Sequence, residues 1–367
     1  MKKIKFSFLV IALIAIAVSC KKNSTATKTL NTDTTSNTSS VPKVTSGVYV
    51  LDQGNIGHNN TTFTYYDFGT TVATTDYYKD VNNFSLGDAG SDFIVYGGKI
   101  YIVMNGSGNV TVANAVTAKL IDTISFIISG VNKQPENIVG YGTHVFVSST
   151  DGTVAVIDTT TLAITKEITV GTNPAQMIVS GGNLYVSNTG AISYNYDSTL
   201  SVISLSTLTE TTRIRVGLNP GPIAADSSGN LYVACAGDYV SNPPLLTKVN
   251  TANNIVSFSA DTAVQSIRYY NNLLYVTPAY GTTAASVRTL NTTNFSTVSA
   301  SFITDGTVIV SPYGLDIDPT TGNVYVDDAI DYVSSGKVFC FDQTGKKKFS
   351  FSVTPGISPS KVVLISQ

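Results

Sequence analysis

The chain has 367 residues, a formal net charge of −2, and only 13% charged side chains. This charge balance excludes the broad basic surface on which nucleic-acid binding depends. Twenty tyrosines, 29 glycines and many Thr, Ser and Asn residues are instead typical of a secreted protein built from β-strands and tight turns.

The first 19 residues have the layout of a bacterial lipoprotein signal peptide. A lysine-rich start precedes the apolar run 6–18, which is too short to span a bilayer as a mature helix. Small residues then lead to Cys20, where lipidation would attach two or three acyl chains and anchor the protein stably. We predict a signal peptide over 1–19 and a lipid anchor at Cys20; the alternative is an ordinary signal followed by a chance cysteine.

Residues 20–42 follow as a tether. They are crowded with Ser, Thr and Asn and hold almost no large apolar side chains, so they cannot bury enough surface to fold. Loss of the signal would remove three lysines and no acidic residue, which leaves the mature chain more acidic. We predict one folded domain over 43–367.

One short pattern recurs along this domain: a Gly or Asn turn, an apolar residue, an aromatic residue, then Val or Ile. Its aromatic residues are Tyr49, Tyr101, Phe146, Tyr185, Tyr232, Tyr275 and Tyr325. A spacing of about 40 to 50 residues between short alternating strands is typical of a β-propeller, with one four-stranded blade per repeat. The sequence therefore predicts an all-β, seven-bladed β-propeller.

The two ends of the domain predict how the ring closes. No inner strand precedes the first repeat, and one strand, 361–366, remains after the seventh blade. We expect this C-terminal strand to become the innermost strand of the first blade, beside 48–51, because closure removes an open sheet edge. The same assignment places Cys235 in blade five and Cys340 in blade seven, too far apart for a disulfide, so both are predicted to be small buried apolar residues.

The connections between strands are of two kinds. Those between strands one and two, and between three and four, are short and emerge on one face, here named the turn face. The others emerge on the opposite face, here named the loop face, where long loops on a rigid scaffold are usually built for binding. The long connections are predicted at 52–62, 78–90, 187–198, 234–244, 277–284, 304–312 and 327–336.

The predicted loop face is rich in aromatic, amide and carboxylate side chains. Such a mixture suits a large, partly polar organic ligand or a protein partner. Tyr78 and Asp238 are predicted on this face as well. The residues predicted to bind ligand are Asn55, His58, Asn59, Asn60, Phe84, Asp88, Tyr194, Tyr196, Tyr239, Tyr280, Tyr313, Asp328 and Tyr332.

Catalytic and metal chemistry is not expected. The only two histidines, His58 and His144, belong to opposite faces, so a joint zinc site is disfavoured, and no nucleophile elbow, Walker loop or dinucleotide fingerprint is present. The acidic loop 327–331 lacks the spacing of a known calcium loop; turn capping is the favoured interpretation and calcium binding the alternative. We predict no cofactor and no enzymatic activity.

Two stretches resemble a known family. TVAVIDTTTLAITKEITVGTNPAQMIVSGGNLYVSN (153–188) resembles the YncE-like propeller repeat, and pieces of it recur at 216–234. GVYVLDQGNIGHNNTTFTYYD (47–67) and LGDAGSDFIVYGGKIYIVMNGSGNVTV (86–112) resemble the opening of the Bacteroidetes propeller lipoproteins that include the BtuG-type cobalamin-binding group. That resemblance implies a seven-bladed, lipid-anchored protein that captures a corrinoid and hands it to a TonB-dependent outer-membrane transporter.

The resemblance leaves several points open. Lys21 and Lys22 follow the lipidated cysteine where surface-exported proteins of that phylum often carry acidic residues, so both a cell-surface and a periplasm-facing anchor remain open. The expected protein is a monomer at the outer membrane. A protein-interaction or adhesion propeller is the alternative function, and a propeller lyase or lactonase is a third.

Overall fold

Seven four-stranded antiparallel sheets make up most of the molecule, so the predicted seven-bladed β-propeller is confirmed. The structure, a computed structural model, describes residues 45–191, 195–279 and 287–366. Within these residues no helix is both long and apolar enough to cross a membrane.

Apart from the closing strand of blade 1, the strands of the first three blades lie in the N-terminal half of the chain. Blade 1 begins with β1 (Thr45–Asp52), β2 (Thr62–Asp67) and β3 (Val72–Thr74), and the short helix α1 (Tyr77–Asn82) follows. Blade 2 contains β4 (Gly90–Tyr96), β5 (Lys99–Met104), β6 (Asn109–Asn114) and β7 (Leu120–Ser125). A two-stranded hairpin follows, formed by β8 (Ile127–Ile128) and β9 (Val131–Asn132). Blade 3 contains β10 (Pro135–Tyr141), β11 (His144–Ser149), β12 (Thr153–Asp158) and β13 (Ile164–Thr169).

The remaining strands complete the ring. Blade 4 contains β14 (Pro174–Ser180), β15 (Asn183–Asn188), β16 (Thr199–Ser204) and β17 (Thr209–Arg215). Blade 5 contains β18 (Pro220–Ala225), β19 (Asn230–Cys235), β20 (Leu245–Asn250) and β21 (Ile255–Asp261). Blade 6 contains β22 (Ser266–Tyr270), β23 (Leu273–Thr277), β24 (Arg288–Asn291) and β25 (Thr297–Ser299). Blade 7 contains β26 (Pro312–Ile317), β27 (Val324–Asp328), β28 (Ser335–Phe341) and β29 (Lys347–Ile357), and the last strand is β30 (Pro359–Ser366).

The last strand closes the ring as the sequence predicts. β30 pairs antiparallel with β1, where Val363 faces Tyr49, and it becomes the innermost strand of blade 1. The first and last described strands are thereby joined in one sheet, which removes the open edge that an unpaired first blade would present.

The repeated aromatic residue is the main packing element between blades. Tyr49 belongs to the apolar cluster shared with blade 2, Phe146 to the cluster shared with blade 4, and Tyr325 to the cluster shared with blade 1. All seven of these rings are buried. Each blade therefore uses the same position to cover its neighbour, which explains why an aromatic residue recurs once per repeat.

Polar side chains of the inner strands link the blades around the axis. Asp92 accepts the backbone N–H of Ile138 from the next blade, and Asn137 accepts that of Met177 from the blade after it. Lys361 of β30 donates to Asp92 at 2.7 Å, which joins blade 1 to blade 2. Because Asp92 is buried and Asn137 and Lys361 are partly buried, such pairing offsets the cost of desolvation.

Three details of the prediction change. Tyr78 does not lie on the loop face: it sits in α1 and is buried against the core of blades 1 and 2. The hairpin β8–β9 was not anticipated, since two-residue strands carry no usable periodicity. Asp327 and Asp328 belong to β27 rather than to a loop, and both are buried.

The two cysteines match the prediction. Cys235 ends β19 and Cys340 lies in β28, and both are free and buried. Burial raises the pKa of each thiol to about 12, so both remain protonated apolar side chains.

Candidate functional site

The loop face carries the large side chains that a binding surface needs. Among the described residues, eight large apolar side chains are exposed there, whereas most of the other exposed ones lie on outer strands. The eight are Ile56, Ile127, Ile128, Val131, Tyr239, Val240, Val310 and Val333. Exposed apolar groups gathered on one side of a soluble protein mark an interaction surface.

The connection between β1 and β2 forms a projecting lip, residues 53–61. Gly54 and Gly57 adopt positive φ angles of 70° and 81°, and Asn59 does so at 54°, so the backbone turns sharply twice. The side chain of Asn60 accepts the N–H of Asn55 at 2.8 Å and closes the base of the lip. Asn55 and Asn60, both predicted to contact ligand, therefore hold the base of the lip together.

Asp88 fastens the tip of this lip to blade 2. Its carboxylate accepts the backbone N–H groups of Gly57 and Asn59 at 3.0 and 3.3 Å. The side chains of Ile56, His58 and Asn59 remain exposed at the tip. His58 has no side-chain hydrogen bond within the described residues, and it lies on the face opposite His144.

The lip continues into a ridge that crosses blades 1 to 3. Asp88 N–H donates to the Ser107 hydroxyl, and the Asn132 amide donates to the backbone carbonyl of Asn105. Asn132 ends the β8–β9 hairpin, whose Ile128 and Val131 are exposed. We call the run formed by residues 53–61, Asp88, 105–108 and 127–132 the ridge. Phe84 is half-exposed and packs edge-on against Tyr78 in the preceding crossing.

A carboxyl group lies at the inner end of the ridge, where the inner strands open onto the loop face. Glu136 follows the first residue of β10, and its Oε2 accepts a hydrogen bond from the Asn105 amide at 2.9 Å. Its Oε1 has no hydrogen-bond partner among the described residues. Burial, followed by the nearby charge of Asp92, raises the pKa of Glu136 to about 7.

Two tyrosines lie near this carboxyl group. The Tyr313 hydroxyl donates to the Gln53 side chain at 2.8 Å, and Tyr332 packs edge-on against Tyr313 with ring centroids 5.5 Å apart. Burial raises the pKa of Tyr313, and the charge of Glu136 adds to that increase. The structure thus gathers Gln53, Glu136, Tyr313 and Tyr332 at what we call the axial mouth.

A second patch lies across the ring, on blades 4 and 5. Tyr196 and Tyr239 meet edge to face with ring centroids 6.3 Å apart. An open pocket of about 440 Å³ is lined by Tyr196, Leu218, Asp238 and Val240. Tyr239 is 76% exposed and adopts a positive φ of 60°, a strained backbone conformation that presents its ring to solvent. We call this group the tyrosine patch.

The acidic side chains of this face cap turns. Asp328 accepts the N–H groups of Val310, Ser311 and Ile330, while Asp331 accepts those of Val333 and Ser334. Asp238 accepts backbone N–H groups within its own loop, and these hydrogen bonds lower its pKa. Turn capping therefore describes the acidic loop, and Asp328 lies beneath the surface rather than on it.

Most of the predicted site residues fall into three groups. Those of the lip, with Asp88, lie on the ridge; Tyr313 and Tyr332 lie at the axial mouth; and Tyr196 and Tyr239 form the tyrosine patch. Phe84 packs against Tyr78 of α1, and Asp328 is buried. Tyr194, Tyr280 and Cys20 lie outside the described residues.

Sequence reasoning missed Glu136, Asn105 and Gln53. A signal was available for Glu136, because it directly follows the proline that begins an inner strand, where blades 4 and 5 have Ala175 and Gly221.

Comparisons with known proteins bear on the fold alone. No family model matches the chain, and no curated protein matches it. It is similar to a solved quinonprotein alcohol dehydrogenase-like protein from Bacteroides thetaiotaomicron, with a TM-score of 0.64 and 16% identity over 87% of this chain and 78% of the other. It is also similar to Kuenenia stuttgartiensis hydrazine synthase, with a TM-score of 0.57 and 15% identity over 76% of this chain and 95% of the other. At such identities the likeness supports a propeller fold and leaves function open.

Proposed function

We propose that this protein is a lipid-anchored binding protein of the outer membrane, which captures a large, partly polar organic ligand on its loop face. The leading candidate is a corrinoid of the vitamin B12 type, delivered to a TonB-dependent transporter, in line with the resemblance to the BtuG-type propeller lipoproteins. The observation that carries this proposal is the division of the loop face into a ridge, an axial mouth and a tyrosine patch on different sides of the ring.

The size of the ligand follows from this arrangement. The ridge occupies blades 1 to 3 and the tyrosine patch occupies blades 4 and 5, and the axial mouth adjoins the ridge through Gln53 and Glu136. A ligand that contacts all three must be far larger than a simple sugar or amino acid. Its apolar parts would pack on the tyrosines and aliphatic tips, and its amide groups would donate to Glu136 and Tyr313.

A binding role agrees with the chemistry of the described residues. His58 makes no side-chain hydrogen bond to a described residue, and no group of three His, Cys, Asp or Glu residues in the described part of the chain is arranged to hold a metal ion. Glu136 is the feature that a lyase or lactonase would use, because a carboxyl group with a pKa near 7 can act as a general base. We propose that it binds ligand rather than reacting with it.

The test is titration of the purified protein with cyanocobalamin, followed by calorimetry and absorbance. We expect sub-micromolar affinity in the native protein and a large loss in the double variant Tyr196→Ala, Tyr239→Ala. The matched control is Tyr141→Ala, which removes an exposed tyrosine from the turn face and should leave affinity unchanged. An equal loss in the control, or no binding at all, would contradict the proposal.

A protein-interaction or adhesion role is the second candidate. The exposed side chains of Val240 and Val333 favour it, because exposed aliphatic groups suit a protein surface better than a polar ligand. Failure to bind cyanocobalamin, ferric siderophores or haem, together with capture of an outer-membrane protein that Val240→Ser abolishes, would support this second function. Turnover of a lactone would instead support the enzymatic alternative.

A further inference from the structure

One position of the second strand faces the inner strand of its own blade and, in blade 3, also links that blade to the next; we call it the junction position. In blades 3, 4, 5 and 7 the inner strand begins with a proline that pairs with one residue of the second strand. The junction position is the residue directly before that partner in the second strand. Those pairs are Pro135 with Ser149, Pro174 with Asn188, Pro220 with Cys235 and Pro312 with Asp328. The junction residues of blades 3, 4, 5 and 7 are therefore Ser148, Ser187, Ala234 and Asp327.

Ser148 shows what this position does. Its buried hydroxyl accepts the N–H of Asn137 in its own inner strand at 3.2 Å and donates to the Ala175 carbonyl in the inner strand of blade 4 at 2.7 Å. The hydroxyl can do both because it is a donor and an acceptor at once. One side chain thereby fastens two neighbouring blades.

Asp327 occupies the junction position where the ring closes. Its carboxyl group is fully buried, and neither oxygen has a hydrogen-bond partner within the described residues. The counterparts of Asn137 and Ala175 at this junction are Gly314 in β26 and Ser360 in β30. A Cβ atom at Gly314 would clash with Asp327 Oδ2 and lie 2.6 Å from the Ser360 carbonyl oxygen, so both oxygens crowd the same glycine.

Two oxygens with lone pairs repel each other unless one of them carries a proton. We propose that Asp327 is a protonated carboxylic acid in the native ring and donates its hydrogen to the Ser360 carbonyl, as Ser148 donates to Ala175. The C-terminal strand is then held to blade 7 by an acid, and this junction weakens when the acid ionises. The other described junction residues named above, Ser148, Ser187 and Ala234, cannot ionise in the working pH range.

The surrounding charges favour the neutral acid. Burial raises the pKa of Asp327 well above its ordinary value, and the nearby acids Asp316 in β26 and Asp52 in β1 raise it further; burial raises the pKa of Asp52 as well. Arg268 in β22 opposes this increase, but its guanidinium already binds Asp316. The lysines of the adjoining strands do not oppose the increase in pKa. Lys361 in β30 forms an ion pair with Asp92, and Lys337 in β28 is exposed.

The proposal predicts a particular pH dependence. In the native state Asp327 keeps a proton that the unfolded chain releases above an ordinary pKa of about 4, so its contribution to stability is fully present at low pH and is lost as pH rises towards the native pKa. In that window Asp327 should raise the unfolding equilibrium constant about tenfold per pH unit. Replacing it with a neutral residue should remove this slope.

The experiment is urea unfolding of the full chain from pH 5 to pH 8, with Asp327→Ser and Asp327→Asn beside the native protein. Asp327→Ser restores the residue found in blades 3 and 4. The control is Asp342→Ser in the same blade, whose carboxylate caps an exposed turn and has a lowered pKa, so it should keep the native slope. We expect both Asp327 variants to gain stability relative to the native protein as pH rises, by about tenfold per unit.

A second measurement keeps the test valid if one variant does not fold. The infrared band of protonated carboxyl groups at pH 7 should lose the contribution of one carboxyl in whichever Asp327 variant folds, and should be unchanged in Asp342→Ser. An unchanged band, or parallel pH profiles for the native protein and the Asp327 variants, would overturn the proposal.

Discussion

The two faces of the propeller are made by the same strands and by similar capping chemistry, yet they present different surfaces. On the turn face, Asp158 accepts the N–H groups of Thr160 and Thr161 and closes a five-residue connection between β12 and β13. On the loop face, Asp88 accepts N–H groups in the same way, but it does so across 29 and 31 residues and supports an exposed tip. Capping alone therefore does not make a binding face; the side chains held outside the cap do.

The largest expected effect is unfolding of the whole propeller, which would abolish both faces. Deletion of residues 358–367 takes away β30, which pairs with β1 and contacts β26 and β4 on either side. Because β1 would then present an unpaired edge and blades 2 and 7 would lose their packing against β30, we expect the whole domain to unfold. Circular dichroism of the truncated protein should show no cooperative melt, and an unchanged melting temperature would contradict the closure.

The next largest effect is on ligand affinity, which should depend on side chains of the loop face and not on those of the turn face. Loss of both rings in the double variant Tyr196→Ala, Tyr239→Ala should weaken cyanocobalamin binding by about thirtyfold, or ~2 kcal/mol, since exposed tyrosines are typical energetic centres of binding surfaces. Calorimetry would measure it against Tyr141→Ala. An equal loss of affinity in the double variant and in Tyr141→Ala would contradict a functional difference between the two faces.

A third prediction compares the two caps directly. Asp88→Ala should release the tip of the lip and lower ligand affinity by roughly tenfold, because the loop must then be ordered on binding. Its counterpart, Asp158→Ala, removes a cap of the turn face and should leave affinity as it is. Matched titrations of the two variants test this, and a loss confined to Asp158→Ala would reverse the assignment.

The pH dependence of ligand affinity tests the role of Glu136 at the axial mouth. Since the pKa of Glu136 is raised to about 7, it changes from acid to carboxylate between pH 6 and pH 8. A carboxylate accepts hydrogen bonds more strongly than the neutral acid, so affinity for an amide-bearing ligand should increase about fivefold over that range. In Glu136→Gln the affinity should not vary with pH, and a native-like rise in this variant would exclude Glu136 as its source.

The smallest effect is expected at the tip of the lip. His58 is exposed and makes no side-chain hydrogen bond to the described residues, so His58→Ala should leave the melting temperature unchanged. Its effect on cyanocobalamin affinity should be roughly twofold to threefold, in keeping with a single contact at the rim. A complete loss of binding would mean that the histidine does more than line the surface.

Features that recur along the chain could be predicted from the sequence, whereas features that depend on one contact between distant segments could not. The aromatic residue of each repeat was readable because every blade uses it for the same contact, and the closing strand followed from a count of strands. Helix α1 was not readable, because six residues cannot form a stable helix alone and it depends on the burial of Tyr78. Glu136 was missed since its raised pKa depends on burial and then on the charge of Asp92, which lies 44 residues away in sequence and comes near only in the folded ring.

The most direct test of the loop face as the ligand face is hydrogen exchange with and without cyanocobalamin. Slower exchange is predicted in residues 53–61, 105–108, 127–132 and 238–244, with no change in the turn-face connections 97–98, 142–143 and 159–163. Protection of the turn face, or no protection of either face, would contradict the account.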